Sequence, residues 1–328
     1  MFKILSVSGG GFMGLYAASV LAGLEEEYGG PLGDYFDLIA GTSVGGIIGL
    51  GLASGSSAAS IKQAFIEYGP TVFSGSPPKP SKLAAMAEMA MTLFSPKYDS
   101  SGLSRIVDEI VGHDLKIGDL RRRIIVPAVN MTKGAPQIFK TAHCPQFRRD
   151  YKLFVRDVAL ATSAAPTFFP LHKIGGELFA DGGLYANSPD LLALHEAEHF
   201  LKIPSEEIHV LSVGTTTSRF SFSNSAGTNL GIVGWMQEQR LPNVMIASNQ
   251  ALADFMMTHK LGNRYVRVDR EQSKEQERSL ALDVASPTAI DDLQALGEAS
   301  LRDLLGLNAS QPFFESAAQA PKFFNGGL

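Results

Sequence analysis

The sequence predicts a three-layer α/β fold, with a central, largely parallel sheet between two layers of helices. Apolar runs typical of buried strands, at 4–7 and 35–40, flank a glycine-rich loop and a helical pattern at 15–28. This succession makes a βαβ unit, whose crossover places the two strands parallel in one sheet. Further strand-like runs alternate with helical patterns along the chain, which is typical of a parallel sheet covered on both faces.

The predicted elements follow one another without a linker long enough to demand a second domain. Helices are expected at about 15–28, 47–53, 57–68, 101–111, 188–201, 243–260 and 288–305, and strands at 4–7, 35–40, 123–129, 178–181, 208–214 and 264–269. We therefore expect one domain over residues 1–305 and a tail at 306–328. The phenylalanines of that tail either pack on the domain or contact a membrane or a second subunit.

Composition narrows the classes of function. The chain has 328 residues, 45% of them hydrophobic, a net charge of -5 and one cysteine, Cys144. The negative charge argues against a nucleic-acid polymer as partner, because such a binder needs a basic face. A single cysteine suits a reducing compartment, and we expect no secretory leader. Because no apolar run approaches the roughly 20 residues of a membrane span, we expect a cytoplasmic protein, peripheral to the inner face of the cell membrane when active.

Three segments carry alternatives that the sequence leaves open. Residues 83–94 are rich in methionine and follow a proline-rich run at 75–80. They form either a helix packed over the core or part of a lid or flap, about 75–97, that contacts a membrane. The arginine clusters at 121–123 and 148–149 are either solvated faces or sites for anionic lipid headgroups or a phosphorylated ligand.

A candidate nucleophile, Ser43, lies where a strand-like run meets a glycine-rich helical run. Residues 41–45 match the pattern G-x-S-x-G. Gly41 and Gly45 let the chain fold back steeply without Cβ clashes, which lifts the serine hydroxyl clear of the backbone. The amide groups at the start of the following helix favour a developing negative charge. The pattern therefore predicts a nucleophile elbow.

Two further segments complete the groups that acyl transfer needs. Gly9, Gly10 and Gly11 follow the first strand and offer unobstructed backbone N–H groups for an oxyanion. Asp181, followed by two glycines, ends a short apolar run and can serve as the base. Because ligand sites in parallel sheets gather at the carboxyl ends of the strands, we expect Asp181 to lie near Ser43.

Two other motifs compete with this interpretation. Residues 9–14 match the dinucleotide-binding pattern G-x-G-x-x-G, but a Rossmann site also needs an acid at the tip of the second strand. Asp37 lies at the entrance of that strand instead. Residues 195–199 match the zinc-binding pattern H-E-x-x-H. No third ligand follows at the expected spacing, and the helical pattern places these side chains on an outward, solvated face.

The three segments of the acyl-transfer interpretation together resemble the patatin-like phospholipase family. Residues 9–14 resemble its glycine-rich oxyanion loop, 41–45 its nucleophile elbow and 181–183 its aspartate motif. Other stretches also look like family segments, namely 162–170, 187–189, 211–215 and 285–287. The similarity thus covers about residues 2–305.

The resemblance implies the patatin-like fold, a catalytic dyad of Ser43 and Asp181, and hydrolysis of acyl esters in membrane glycerophospholipids. It implies no metal and no cofactor. It assigns the glycines to three groups: Gly9, Gly10 and Gly11 to the oxyanion hole, Gly41 and Gly45 to the elbow, and Gly182 and Gly183 to the aspartate motif. The sequence departs from the family at Ser8, where many members have aspartate, and at Met13, where they often have arginine or lysine.

Chains of this appearance also resemble the phospholipase effectors of bacterial anti-phage systems that respond to cyclic nucleotides. That resemblance implies a cyclic dinucleotide as activator, the cell's own phospholipid membrane as substrate, and a role in antiviral defence; an oligomer is compatible with it. Two other classes stay open at this point. One is a non-catalytic lipid-binding protein, and the other is a zinc peptidase that uses His195 and His199.

Overall fold

The computed structural model describes residues 1–73, 95–216, 231, 234–235, 240–273 and 276–325. The strands of this part are β1 Phe2–Val7, β2 Leu38–Gly41, β3 Arg123–Asn130, β4 Ala135–Lys140, β5 His172–Ile174, β6 Glu177–Asp181, β7 Ile208–Val213 and β8 Tyr265–Val268. The methionine-rich segment 83–94, with most of the flap predicted at 75–97, lies outside the described residues.

Helices alternate with these strands along the chain. They are α1 Gly14–Tyr28, α2 Val44–Ser54, α3 Ala58–Val72, α4 Ser101–Val111, α5 Val155–Thr162, α6 Gly183–Ala186, α7 Asp190–His195, α8 Arg240–Leu261, α9 Gln276–Ser279, α10 Pro287–Gly306 and α11 Gln311–Phe314. Within the described residues, no helix combines the length and the apolar character that a membrane crossing needs.

All of these strands belong to one sheet, and its centre is parallel. The parallel strands lie in the order β3, β2, β1, β7 and β8, which confirms the prediction of a largely parallel sheet. The strands β4, β5 and β6 form an antiparallel extension at β3. The sequence patterns predict neither β4 nor β5, because both strands are largely half-buried and lack a continuous apolar run.

The strands β2 and β6 lie end to end along the same edge of β3. Ile125 of β3 pairs with both β2 and β4, so those two strands occupy opposite edges. Ala128 pairs with β4 and with Asp181 of β6, so β6 shares the edge of β2. Because β6 runs antiparallel to β3, the expectation that Asp181 ends a parallel strand is wrong. The carboxyl ends of β2 and β6 meet head-on, since β3 continues past the end of β2.

Helices cover both faces of the sheet, which confirms the three-layer arrangement. Leu5, Val7 and Val213 belong to the core formed with α1–α5 and α10. Ile4 and Val210 belong to the core formed with α7 and α8 on the opposite face. Successive residues of a strand point to opposite faces, so a parallel strand between two helical layers is apolar on both sides.

Several elements differ from the predictions at their ends; the helix predicted at 57–68, for example, continues to Val72. The strand predicted at 35–40 begins only at Leu38, because Leu32–Tyr35 form a 3-10 turn. The helix predicted at 188–201 begins at Asp190, and its last part, Glu196–Phe200, is a π-helical turn.

The described part of the tail packs on the domain. The ring of Phe314 stacks on that of Tyr28, with centroids 4.2 Å apart. Arg122 donates a hydrogen bond of 3.1 Å to the carbonyl oxygen of Ala318 and pairs with Asp34 at 2.9 Å. Of the alternatives for the tail, packing on the domain is therefore the one observed, and one arginine of the first basic cluster contributes to it.

Candidate active site

Ser43 lies at the sharp turn between β2 and α2. Its backbone has φ 54° and ψ -127°, a strained region for a residue with a side chain. A Cβ added at Gly41 would lie 2.1 Å from the carbonyl oxygen of Gly45, and one added at Gly45 would lie 2.3 Å from that of Val7. Only glycine fits at these two positions, so the turn has the geometry that the G-x-S-x-G spacing predicts.

The Ser43 side chain lies close enough to the Asp181 carboxylate to stabilise its ionised form. Asp181 is only 5% exposed, and its Oδ1 atom accepts a hydrogen bond of 2.6 Å from the amide of Gly183. Burial raises the pKa of Asp181 to about 6, although the hydrogen bond from the Gly183 amide and the interaction with Ser43 act in the opposite direction. The pair thus combines a hydroxyl with a buried carboxylate that is more basic than an exposed one.

Contacts with β3 hold the elbow and the aspartate motif together. Thr162 donates a hydrogen bond of 2.6 Å to the carbonyl oxygen of Pro127, and its hydroxyl oxygen accepts one of 3.0 Å from the amide of Ser43. Gly182 lies so close to the same strand that an added Cβ would be 2.3 Å from the Pro127 oxygen. One residue of β3 therefore positions both segments.

The glycine-rich loop lies directly beside the elbow. A Cβ added at Gly9 would be 3.2 Å from the Cβ of Ser43. The amide of Gly9 donates to the carbonyl oxygen of Asn187 at 2.9 Å, so the prediction that this N–H serves an oxyanion is wrong. The amides of Gly10 and Gly11 donate to no group among the residues that the structure describes. Of the three predicted donors, these two remain for an oxyanion.

The loop is anchored on two sides. The carbonyl oxygen of Gly9 accepts hydrogen bonds from Asn187 Nδ2 at 3.1 Å and from Thr215 Oγ1 at 2.8 Å. Gly11 has φ +56°, and an added Cβ would lie 2.1 Å from the carbonyl oxygen of Leu282. Segments from distant parts of the chain therefore fix the orientation of the free amides.

Arg267 of β8 supports the same region and was not singled out by the sequence patterns. Its guanidinium donates to Oγ of Ser212 at 2.8 Å, Ser8 at 3.1 Å and Ser188 at 3.2 Å, and to the carboxylate of Asp269 at 2.6 Å. The departure at Ser8 thus supplies a hydroxyl that binds an internal cation. The feature of the sequence that could have indicated this role is an arginine inside the otherwise apolar run Tyr265–Val268.

The H-E-x-x-H motif belongs to a different arrangement. Glu196 is 1% exposed, so the prediction that it lies on an outward face is wrong. Its carboxylate accepts a hydrogen bond of 2.6 Å from Lys140 Nζ and lies 2.9 Å from His143 Nε2. These partners satisfy the buried charge. The rings of His195 and His199 stack at 5.0 Å, and among the described residues no third candidate ligand is grouped with them.

The acid nearest to a Rossmann position also lies away from the site. Asp37 precedes β2 and accepts a hydrogen bond of 2.9 Å from the amide of Lys3. Ser43 follows the opposite, carboxyl end of the same strand. The glycine pattern at residues 9–14 therefore serves the serine site and lacks the ribose-binding acid of a dinucleotide site.

Comparison with known proteins agrees with this geometry. The profile described as patatin-like phospholipase matches residues 5–194, which is more than half of the chain and includes all three motifs. The chain belongs to the patatin-like phospholipase family.

Within this family, relatives are similar over nearly the whole chain. A cGAMP-activated phospholipase of Pseudomonas aeruginosa is 38% identical, over 99% of this chain and 95% of that protein. A cGAMP-activated phospholipase of Vibrio cholerae is 37% identical, over 90% of this chain and 89% of that protein. Among solved structures, VipD from Legionella pneumophila has a TM-score of 0.40 and 12% identity, over 91% of this chain and 67% of that one.

Proposed function

We propose that this chain is a serine-dependent lipid acyl hydrolase of the phospholipase A type, which releases fatty acids from membrane glycerophospholipids. The observation that carries the proposal is the position of the Ser43 side chain next to the buried carboxylate of Asp181. The free amides of Gly10 and Gly11 lie in the loop beside it. Membership of the family supports a lipid ester as substrate.

In the proposed acylation, the Oγ atom of Ser43 attacks the ester carbonyl carbon and its proton passes to Asp181. The amides of Gly10 and Gly11 bind the oxyanion of the tetrahedral intermediate. When the intermediate collapses, Asp181 returns the proton to the leaving alcohol oxygen. The lysophospholipid departs, and the fatty acyl group stays on Ser43.

Deacylation repeats these steps with water as the nucleophile. Water gives a proton to Asp181 as its oxygen attacks the acyl carbon. The second intermediate releases the fatty acid, and Asp181 returns the proton to Ser43. A base with a pKa of about 6 suits this cycle, because it is ionised at pH 7 and still accepts a proton more readily than an exposed aspartate.

The names of the relatives support a regulatory part of the proposal. Both proteins from Pseudomonas aeruginosa and Vibrio cholerae are described as activated by cGAMP. By analogy, a cyclic dinucleotide activates this chain, which then works in the cytoplasm at the inner face of the membrane as an antiviral effector. The substrate is then the phospholipid membrane itself.

Ser43→Ala tests the catalytic part of the proposal. We expect fatty acid release from phosphatidylethanolamine and phosphatidylglycerol vesicles, measured with cGAMP present, to fall by at least about 10³-fold. A fluorophosphonate should label wild type and fail to label the variant. Ser60→Ala is the matched control, because Ser60 is an exposed helical serine. Full activity in a folded Ser43→Ala protein would overturn the assignment.

The same experiment distinguishes the proposed hydrolase from a non-catalytic lipid-binding protein. Such a protein would sediment with the vesicles, release no fatty acid and resist the fluorophosphonate. The proposed hydrolase is labelled at Ser43 even where its vesicle activity awaits an activator.

A further inference from the structure

A cavity of about 280 Å³ lies at the end of β4, away from the Ser43 site. Its lining includes Lys140, Phe147, Arg148, Arg149 and Asp150. It therefore presents three cationic side chains, one aromatic ring and one carboxylate. The second basic cluster of the sequence belongs to this cavity, whereas the first is used in part to hold the tail.

The cationic groups of the cavity keep unused hydrogen-bond donors. The Nε atom of Arg148 donates to the carbonyl oxygen of Pro145 at 2.9 Å, and the Nε atom of Arg149 pairs with Asp150 at 2.7 Å. A guanidinium has five N–H donors. Within the described residues, the terminal nitrogens of both arginines make no further bond, and both side chains are exposed.

Lys140 and Phe147 form the inner part of the same cavity. The ammonium group of Lys140 pairs with the buried carboxylate of Glu196 at 2.6 Å and lies 4.3 Å from the centre of the Phe147 ring and 4.6 Å from that of Phe200. The Phe147 ring is half-buried, packed edge-on against His143 at 5.1 Å. A flat ring beside several cations is the combination that binds a nucleotide, because the base stacks on the ring and the phosphate pairs with the cations.

We propose that this cavity binds the cyclic dinucleotide that activates the enzyme, an inference that rests on the regulatory part of the proposed function. A purine stacks on Phe147, and the phosphodiester groups pair with Arg148 and Arg149. Small-molecule sites typically measure roughly 300–1,000 Å³. The cavity, at about 280 Å³, is slightly smaller than this range, so the dinucleotide extends beyond it over the exposed arginines at its rim.

The cavity is connected to the catalytic pair through β4. Lys140 is the last residue of this strand, and Gln137 lies three residues earlier. Gln137 pairs with Ala128 of β3, which pairs on its other edge with Asp181. The carbonyl oxygen of Gln137 also accepts a hydrogen bond of 3.1 Å from Tyr185, just after the aspartate motif. A ligand that moves β4 thus acts on Ala128, which pairs with Asp181, and on Tyr185, which follows the aspartate motif.

The test measures nucleotide binding and activation in the full-length chain. We expect Arg148→Glu and Phe147→Leu each to raise the calorimetric Kd for cGAMP at least tenfold. The concentration for half-maximal fatty acid release from vesicles should rise in parallel. Arg105→Glu is the matched control, because Arg105 is an exposed helical arginine outside the cavity and should leave both values unchanged. Arg148 is exposed, so its variant stays folded even if the Phe147 variant does not.

Three results would overturn the inference. If Arg148→Glu and Phe147→Leu bind cGAMP like wild type, the cavity is not the site, while the proposed activation stands. If Arg148→Glu weakens binding to phosphatidylglycerol vesicles and leaves the cGAMP affinity unchanged, the cavity binds lipid headgroups instead. If wild type neither binds nor responds to cGAMP, the regulatory proposal fails together with this one. Fluorophosphonate labelling of Ser43 reports the catalytic proposal separately in every case.

Discussion

Replacing Asp181 by asparagine should stabilise the protein while it abolishes activity. The pKa of Asp181 is about 6 in the folded protein, against 3.8 for an exposed aspartate, because burial disfavours the anion. A difference of roughly two pKa units corresponds to about 3 kcal/mol of free energy of unfolding. Asparagine has nearly the same shape, keeps an oxygen for the Gly183 amide and carries no charge.

The size of this stabilisation depends on pH. Below the unfolded pKa the carboxyl is neutral in both states, so the substitution changes the free energy of unfolding little. As pH rises through the folded pKa, the folded wild type bears the full cost of a buried anion. The gain from Asp181→Asn should therefore be small at pH 4, about 0.5 kcal/mol, because that pH is just above the unfolded pKa, and it should approach about 3 kcal/mol above pH 7. At roughly 2 °C per kcal/mol, the variant should melt about 6 °C higher.

Thermal unfolding of both proteins between pH 4 and pH 8 measures this difference. Asp99→Asn is the control, because a hydrogen bond from the Ser101 hydroxyl lowers the pKa of that exposed carboxyl. Relative to wild type, the Asp99→Asn variant should become less stable as pH rises, so its stability difference should change with pH in the opposite direction to that of Asp181→Asn. Fatty acid release by Asp181→Asn should fall by about 10²–10⁴-fold, since the general base is lost. A melting difference that is the same at pH 4 and pH 8 would refute the argument from burial.

Two further substitutions test the packing around the site. Arg267→Met removes the cation that faces Asp190, which is fully buried 3.9 Å away, so we expect the free energy of unfolding in urea to fall by about 3–5 kcal/mol. The exposed Arg105→Met should change it little, and equal losses would contradict the role of the internal ion pair. Phe314→Ala should cost about 3–5 kcal/mol, because the ring is 7% exposed and stacks on Tyr28. Phe255→Ala, at a ring that is 62% exposed, should cost less than about 0.5 kcal/mol.

The turn at Ser43 could be predicted because one of its requirements is local. Gly41 approaches Gly45 within the turn itself, so the clash that excludes a side chain at Gly41 involves residues four apart, whereas the clash at Gly45 is with Val7 of β1. The same holds for the βαβ unit at the start of the chain, whose loop and helix follow directly from the spacing of glycines and apolar residues. Local patterns of this kind predict the structure of the segment without information about the rest of the fold.

The direction of β6 and the existence of β4 could not be predicted in the same way. The residues of a strand indicate whether it is half-buried, but they do not determine which strand it pairs with or whether the pairing is parallel or antiparallel. Asp181 does lie near Ser43, but the cause differs from the expected one. It lies there because the strands β2 and β6 meet head-on along β3. Glu196 was misassigned for a related reason, because Lys140 and His143 reach it from a distant segment.

The residue types that acyl transfer needs, Ser43, Asp181 and a run of glycines, can be named from the chain without coordinates. Folding determines which of them can act together. It engages the amide of Gly9 with Asn187, leaves those of Gly10 and Gly11 without a partner among the described residues, and buries Asp181 enough to raise its pKa to about 6. These properties depend on desolvation and on contacts between segments far apart in the sequence, and no short pattern of residues encodes them.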